Sequence, residues 1–180
     1  MTTKLVDIEL HAHLHFDHYS LYDVIEVMED NMLDVLVPLH FGFGCFDEVA
    51  MAAKDLPEGF FKVERDELML RVEHEGMFSY FLRGVEFSTQ EANCDVAHMI
   101  MVGHDQYEER QPMDVMIDRA LDKDALVILD HPFVDAKNLM KAITPEIGLA
   151  LFERCKRYSG RVALEYNGYC IPWVRALLGG

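Results

Sequence analysis

The sequence predicts an α/β domain in which short parallel strands alternate with covering helices. Three observations predict it: short β-rich runs recur along the chain, most are continuously apolar and not alternating, and amphipathic helical patterns separate several of them. A strand covered on both faces has no solvent side to mark with polar residues, so continuous apolarity is the pattern of a parallel sheet under helices. Strand and helix in alternation leave two architectures, a β/α barrel and an open doubly wound sheet. In both, reactive residues collect at the C-terminal ends of strands.

The strand runs are Val6 to Leu10, Asp34 to Leu39, Leu82 to Phe87, Val96 to Val102, Ala125 to Leu129 and Arg161 to Tyr166. Between the first two, "SLYDVIEVMEDNML" places Leu21, Val24, Ile25, Met28 and Met32 on one helical stripe, with Ser20 and Asp23 spaced as a capping box. The segment from Phe60 to Phe78 reads as a further helix without clear ends. "PMDVMIDRALDKD" is a helix before the fifth strand, and "TPEIGLALFERCKRYSG" one before the last, opening with Thr144 ahead of Pro145 and closing at Gly160.

A chain of 180 residues, 51% hydrophobic and 27% charged, suits one globular domain spanning 1–180. Asp and Glu outnumber Lys and Arg 32 to 16, a formal charge of −16 that repels polyanions and argues against an extended nucleic-acid partner. A small anion is still compatible, because bound metal ions reverse the local field of a pocket. Cys45, Cys94, Cys155 and Cys170 are scattered without a C-x-x-C pair, no cleavable leader opens the chain, and no apolar run approaches the ~20 residues of a membrane span. The expectation is a reduced cytoplasmic protein with free thiols and no membrane partner.

Several predicted strands end in metal-ligand types. The first ends in His11 and His13, the second in His40 within "VLVPLHFG", the third in Glu86 within "GVEFS", and the fifth in His131 within "VILDHPF". Alternation along a strand points both histidines of H-x-H at one pocket. Taken singly, His40 also suits a helix cap or the core, and His131 before Pro132 suits a turn. Glu86 is harder to dismiss, since a carboxylate inside an apolar strand is costly unless paired or liganded. Imidazole and carboxylate are the ligands that Zn, Mn and Fe share. The glycines after His40, Gly42 and Gly44, lack the lysine and spacing of a phosphate-cradling loop, and no G-x-S-x-G elbow appears.

In this order the residues resemble the PHP (polymerase and histidinol phosphatase) family of metal-dependent phosphoesterases: His11-Ala12-His13, His18, His40, Gly84-Val85-Glu86, His98-Met99-Ile100 and His131-Pro132, over nearly the whole chain. The late "ALEYNGY", with Glu165 and Asn167, is similar to a family strand of structural role. The resemblance implies a distorted (β/α)7-type PHP barrel, a TIM-like barrel holding two or three divalent ions of Zn, Mn or Fe. It assigns His11 and His13 to one ion, Glu86 as bridge to a second completed by His98 and His131, and His18 with His40 to a third. His104, which ends its strand in "MIMVGHD", is the alternative to His98; His15 and Asp17 are supporting or solvent groups, and His74 a supporting or surface histidine.

Two departures stand against the family pattern. His18 in "FDHYS" takes a place usually held by aspartate, and the sequence stops at Gly180 without the family's last "SD-x-H" strand. The expectation is a barrel shortened at its C-terminus with an open site, one completed by a partner, or a fragment. The implied activity is hydrolysis of a small phosphorylated metabolite, nucleotide or short oligonucleotide by metal-activated water, with Glu86 and His131 as catalytic groups. Two other readings stay open: a metal-binding domain without catalysis, and an amidohydrolase, which shares H-x-H on a barrel strand but commonly uses a bridging lysine for which no strand-end candidate exists here.

Overall fold

The apolar runs do form strands, but they assemble into open sheets. The computed structural model describes residues 8–12, 19–40, 43–89, 98–105, 111–130, 134–135, 138–142, 153 and 156–164, with the side chains of 8–12, 40, 43–44, 130, 134–135, 138–142 and 164 excepted. The chain divides into two compact units, Met1–Glu86 with Val102–Tyr107, and Phe87–Met101 with Glu108–Gly180.

In the first unit, strands β1 (Ile8–Ala12) and β2 (Val35–His40) lie parallel, Ile8 opposite Val35 and Ala12 opposite Pro38. Helix α1 (Leu21–Asp30) lies between them in sequence and starts on the expected capping box. Ser20 Oγ accepts from the Asp23 N–H at 3.2 Å, and the Ser20 N–H donates to Asp23 Oδ2 at 2.7 Å. Leu21, Ile25 and Met28 are buried as the stripe predicts, whereas Met32 is exposed: the helix stops at Asp30, and Met32 sits beyond the Asn31 cap at φ 56°.

Strand β3 (Phe43–Gly44) pairs with the end of β2, and helix α2 (Phe46–Ala52) runs into a 3-10 turn at Ala53–Asp55. The segment read as a helix from Phe60 to Phe78 is instead a β-meander of β4 (Phe61–Arg65), β5 (Met69–His74) and β6 (Met77–Leu82). Its charges are good helix formers, which masks the alternation of buried Leu70 and Val72 with half-exposed neighbours. In the strand register those charges pair across the ladder: Lys62 Nζ lies 2.9 Å from Glu73 Oε1, and Arg71 Nη1 2.7 Å from Glu64 Oε2, each directly opposite its partner. Glu75 at φ 50° and Gly76 at φ 83° make the two-residue turn from β5 to β6, a backbone that needs both central residues in the left-handed region. The sheet order is β1-β2-β6-β5-β4, with β6 parallel to β2, and Ile25, Met28, Leu36, Phe46, Val72 and Phe81 close its core.

One residue, Arg83, separates β6 from β7 (Gly84–Ser88). A second sheet has the order β12-β9-β8-β7, where β8 is His98–Val102, β9 Leu126–Asp130 and β12 Val162–Leu164, and β9 and β12 are parallel. In the second unit α3 (Met113–Asp122) packs on β9 through a buried stripe of Met113, Met116, Ile117 and Ala120. Strands β10 (Val134–Asp135) and β11 (Asn138–Ala142) form a small antiparallel pair. Of the helix expected from Thr144 to Gly160, Glu153, Lys156 and Arg157 are described and helical, and Gly160 follows at φ 79°.

This topology overturns the (β/α)7 PHP barrel and the TIM-like barrel. Among the described residues the strands form separate sheets of six, four and two, none closes on itself, and three α-helices are complete. A barrel sets consecutive βα strands side by side. Here the place beside β2, which that expectation gives to the "GVEFS" strand, is taken by β6, and the antiparallel meander that delivers β6 carries no helical crossover. Among the described residues no helix is long and apolar enough to cross a membrane.

Candidate functional site

The strand-end histidines depend on β1 and β2. Because the two strands are parallel neighbours, their C-terminal ends fall at the same end of the sheet. His11 is the penultimate residue of β1 and His40 the last of β2, so the backbone brings these two positions to one end. The apolar run "VLVPL" carries β2 up to His40, and β1 reaches His11 one residue before its end. His13, His18 and His131 lie outside the described residues, as do His15, Asp17, Glu165 and Asn167.

Glu86 and His98 carry described side chains. Glu86 is the middle residue of β7, every residue of which is buried, and it is itself 1% exposed. His98 opens β8, again a fully buried strand, and is 9% exposed. Such polar groups are kept inside only when hydrogen-bonded, paired or liganded. Among the described residues no three His, Cys, Asp or Glu side chains gather as a metal site. The side chains of His11, His13, His18, His40 and His131, five of the seven expected ligands, are outside that set.

His104 falls elsewhere. Beyond the end of β8, it lines a cavity of about 590 Å³ with Arg65, Asp66, Glu67, Arg83 and Asp105. Asp66 shapes one wall by closing the β4–β5 turn, its Oδ1 accepting from the N–H groups of Leu68 at 2.8 Å and Met69 at 2.7 Å. Arg83 builds the other. Its Nε donates to the Glu67 carbonyl at 2.7 Å, its Nη1 to Asp105, and its Nη2 to Asp47 Oδ1 at 3.1 Å, while the Gly103 N–H donates to its carbonyl at 2.7 Å. Asp47 also accepts from Arg65 Nη2 at 2.5 Å. The Arg83 guanidinium, then that of Arg65, holds the Asp47 carboxyl below its ordinary range. Both guanidinium groups lie over the Phe46 ring, at 4.4 Å for Arg83 and 5.4 Å for Arg65. Three of the five Arg83 N–H donors go to protein oxygens, which makes Arg83 a structural clamp.

Sequence reasoning missed this clamp and the setting of His74. His74 is half-buried: its Nδ1 is 3.1 Å from Glu29 Oε1, its side chain is 14% exposed, and its ring stacks on Phe61 at 4.4 Å and 15°. The apolar–polar alternation of "LRVE" in β5 was the signal that could have found the strand that carries it. No protein-family model and no curated protein matches the chain.

Proposed function

We propose that the protein is a metal-dependent phosphoesterase acting on a small phosphorylated metabolite, nucleotide or short oligonucleotide in a reducing, cytoplasmic setting. The observation that carries the reading is the arrival of His11 and His40 at one end of two parallel neighbouring strands, the backbone arrangement that a shared imidazole site requires. The burial of Glu86 and His98 supports it, because nitrogen and oxygen donors withdrawn from water form the ligand set of a hard or borderline divalent ion. The ordered resemblance to the PHP family adds His13, His18 and His131 to the set.

In this reading two or three ions of Zn, Mn or Fe, when bound, supply Lewis-acid charge and a water that ionises near neutral pH. His11, His13, His18, His40, His98 and His131 would hold them as neutral imidazoles, with the Glu86 carboxylate as a shared ligand. A histidine not ligating an ion would give a proton to the leaving oxygen of the ester. The strongly acidic chain, at −16, disfavours long polyanions, so its charge favours a small substrate.

The test joins elemental analysis of the purified, tag-free protein to hydrolysis of chromogenic phosphomonoesters and phosphodiesters with added Mn or Zn. Two or more bound ions per chain with turnover, and loss of turnover in Glu86→Gln with an unchanged melting curve, are the expected results. Wild-type turnover in Glu86→Gln, or no metal uptake on titration, overturns the proposal.

A further inference from the structure

Strand β4 is the end strand of the six-stranded sheet; among the described residues its ladder partner is β5, with one isolated bridge from Glu58 to Phe61 at its start. The ladder fixes which of its backbone groups face outward. The Asp66 N–H donates to the Met69 carbonyl at 2.9 Å, and two and four residues earlier Glu64 is opposite Arg71 and Lys62 opposite Glu73. In an antiparallel ladder alternate residues bond to the same neighbour, so Lys62 and Glu64 turn their N–H and C=O groups toward β5 while Val63 and Arg65 turn theirs to the open edge. All four residues are exposed, Val63 at 41%. An edge of this kind is a template for another strand.

We propose that β4 is a self-association edge, and that its partner is the β4 strand of a second copy of this chain, antiparallel about a twofold axis through Val63. In that register Val63 meets Val63 and exchanges both of its backbone bonds, Arg65 meets Phe61, and Lys62 meets Glu64 twice. The adjacent registers that keep the same outward groups put Lys62 on Lys62 or Glu64 on Glu64, so charge selects one alignment. Across the join the row of side chains reads Glu73, Lys62, Glu64 of the other copy, Arg71 of the other copy. The alternating signs already present between β4 and β5 thus continue without a break. Lysine has three donors and a carboxylate about four acceptor sites, so each side chain keeps its pair on β5 while making the new one.

Two chains of −16 repel, and the two Lys62–Glu64 pairs across the twofold axis offset part of that repulsion locally. The sequence leaves the oligomeric state open; this edge defines it as a monomer–dimer equilibrium. A ladder of five residues is smaller than a standard interface, so the dimer is concentration-dependent and weakens with salt.

The experiment is sedimentation equilibrium of the full chain over a concentration series reaching millimolar. Lys62→Glu and Glu64→Lys should each raise the dimer dissociation constant roughly tenfold or more, since both twofold-related pairs become repulsive. An equimolar mixture of the two variants should regain wild-type association, because every cross-copy pair in the mixed dimer joins opposite signs. Val63→Pro removes an outward N–H, which an edge strand tolerates, and should abolish the dimer with the far-UV spectrum unchanged. A wild-type chain monomeric throughout, a dimer indifferent to these variants, or a mixture no more associated than its components overturns the proposal.

Discussion

Replacing Arg83 with Met tests the structural account most directly, because one side chain there joins four elements of the first unit. The substitution keeps much of the apolar stem and removes the donors to Asp105, Asp47 and the Glu67 carbonyl, along with the cation over Phe46. The Arg83 and Asp105 side chains are 18% and 16% exposed, between a surface pair, worth up to about 1 kcal/mol, and a buried one, whose breakage costs about 3–5 kcal/mol. Asp47 is largely exposed and adds little. With a carbonyl bond of about 1 kcal/mol and partial overlap among these contributions, a loss of about 3 kcal/mol is expected. In urea titrations that appears as a lower midpoint at unchanged slope, and in a melt as a drop of roughly 6–12 °C for a chain of this length. Arg83→Lys restores a charge without the fork and should recover less than half. Adding Asp105→Asn to Arg83→Met should relieve part of the loss, since no charge is then left behind; strictly additive losses would refute a coupled clamp. Acid provides a sign check. The Asp47 carboxyl titrates below its ordinary value in the folded chain, so its small contribution is present above pH about 4 and disappears as pH falls through the lower folded value. The penalty of Arg83→Met should therefore shrink in acid, and a penalty within about 0.5 kcal/mol at neutral pH would refute the reasoning altogether.

Two further predictions concern local structure. Ser20→Ala removes the acceptor for the Asp23 N–H and should cost about 1 kcal/mol, while Asp23, held below its ordinary range by its bonds to Ser20, should titrate closer to it by NMR; an unmoved titration would break the link. Cys45 is 1% exposed and its thiol is pushed up to about 12 by burial, so at pH 8 about one part in ten thousand is thiolate. Peptide mapping after iodoacetamide treatment should find it unmodified in the native chain and modified in urea, and labelling of the native residue within minutes would contradict its place in the core.

The strands buried on both faces were legible and their partners were not. Continuous apolar runs place β2, β8 and β9 within a residue or two of their observed limits, because burial on both faces leaves its mark on every position. Helix α1 was equally legible through Ser20, Asp23 and the stripe at Leu21, Ile25 and Met28. The meander was hidden because Lys62, Glu64, Arg71 and Glu73 satisfy one another across strands at separations of 7 and 11 residues, whereas a reader of local propensity sees four helix formers. Once β4, β5 and β6 are missed, β6 cannot claim its place beside β2, and a barrel follows from the remaining strands by default. The error in architecture is thus one error in local reading, carried forward through topology.

The candidate site divides along the same line. A histidine at the end of an apolar run is a local signal, and His11 and His40 stand where β1 and β2 run out. A carboxylate within such a run is another, and Glu86 is buried as its neighbours demand. His98 and His104 could not be separated, because both flank one apolar run and periodicity does not say which end of a strand is buried. In the structure His98 is buried and His104 lines a polar cavity. The Arg83 clamp had no local signal at all. It joins Asp105 and Asp47 across 22 and 36 residues, and nothing in the neighbourhood of "FLRGVEF" distinguishes an arginine with three protein acceptors from one in solvent. Charge partners of this kind are chosen by topology. Reading them from sequence requires the sheet order first, and here that order turned on recognising β6.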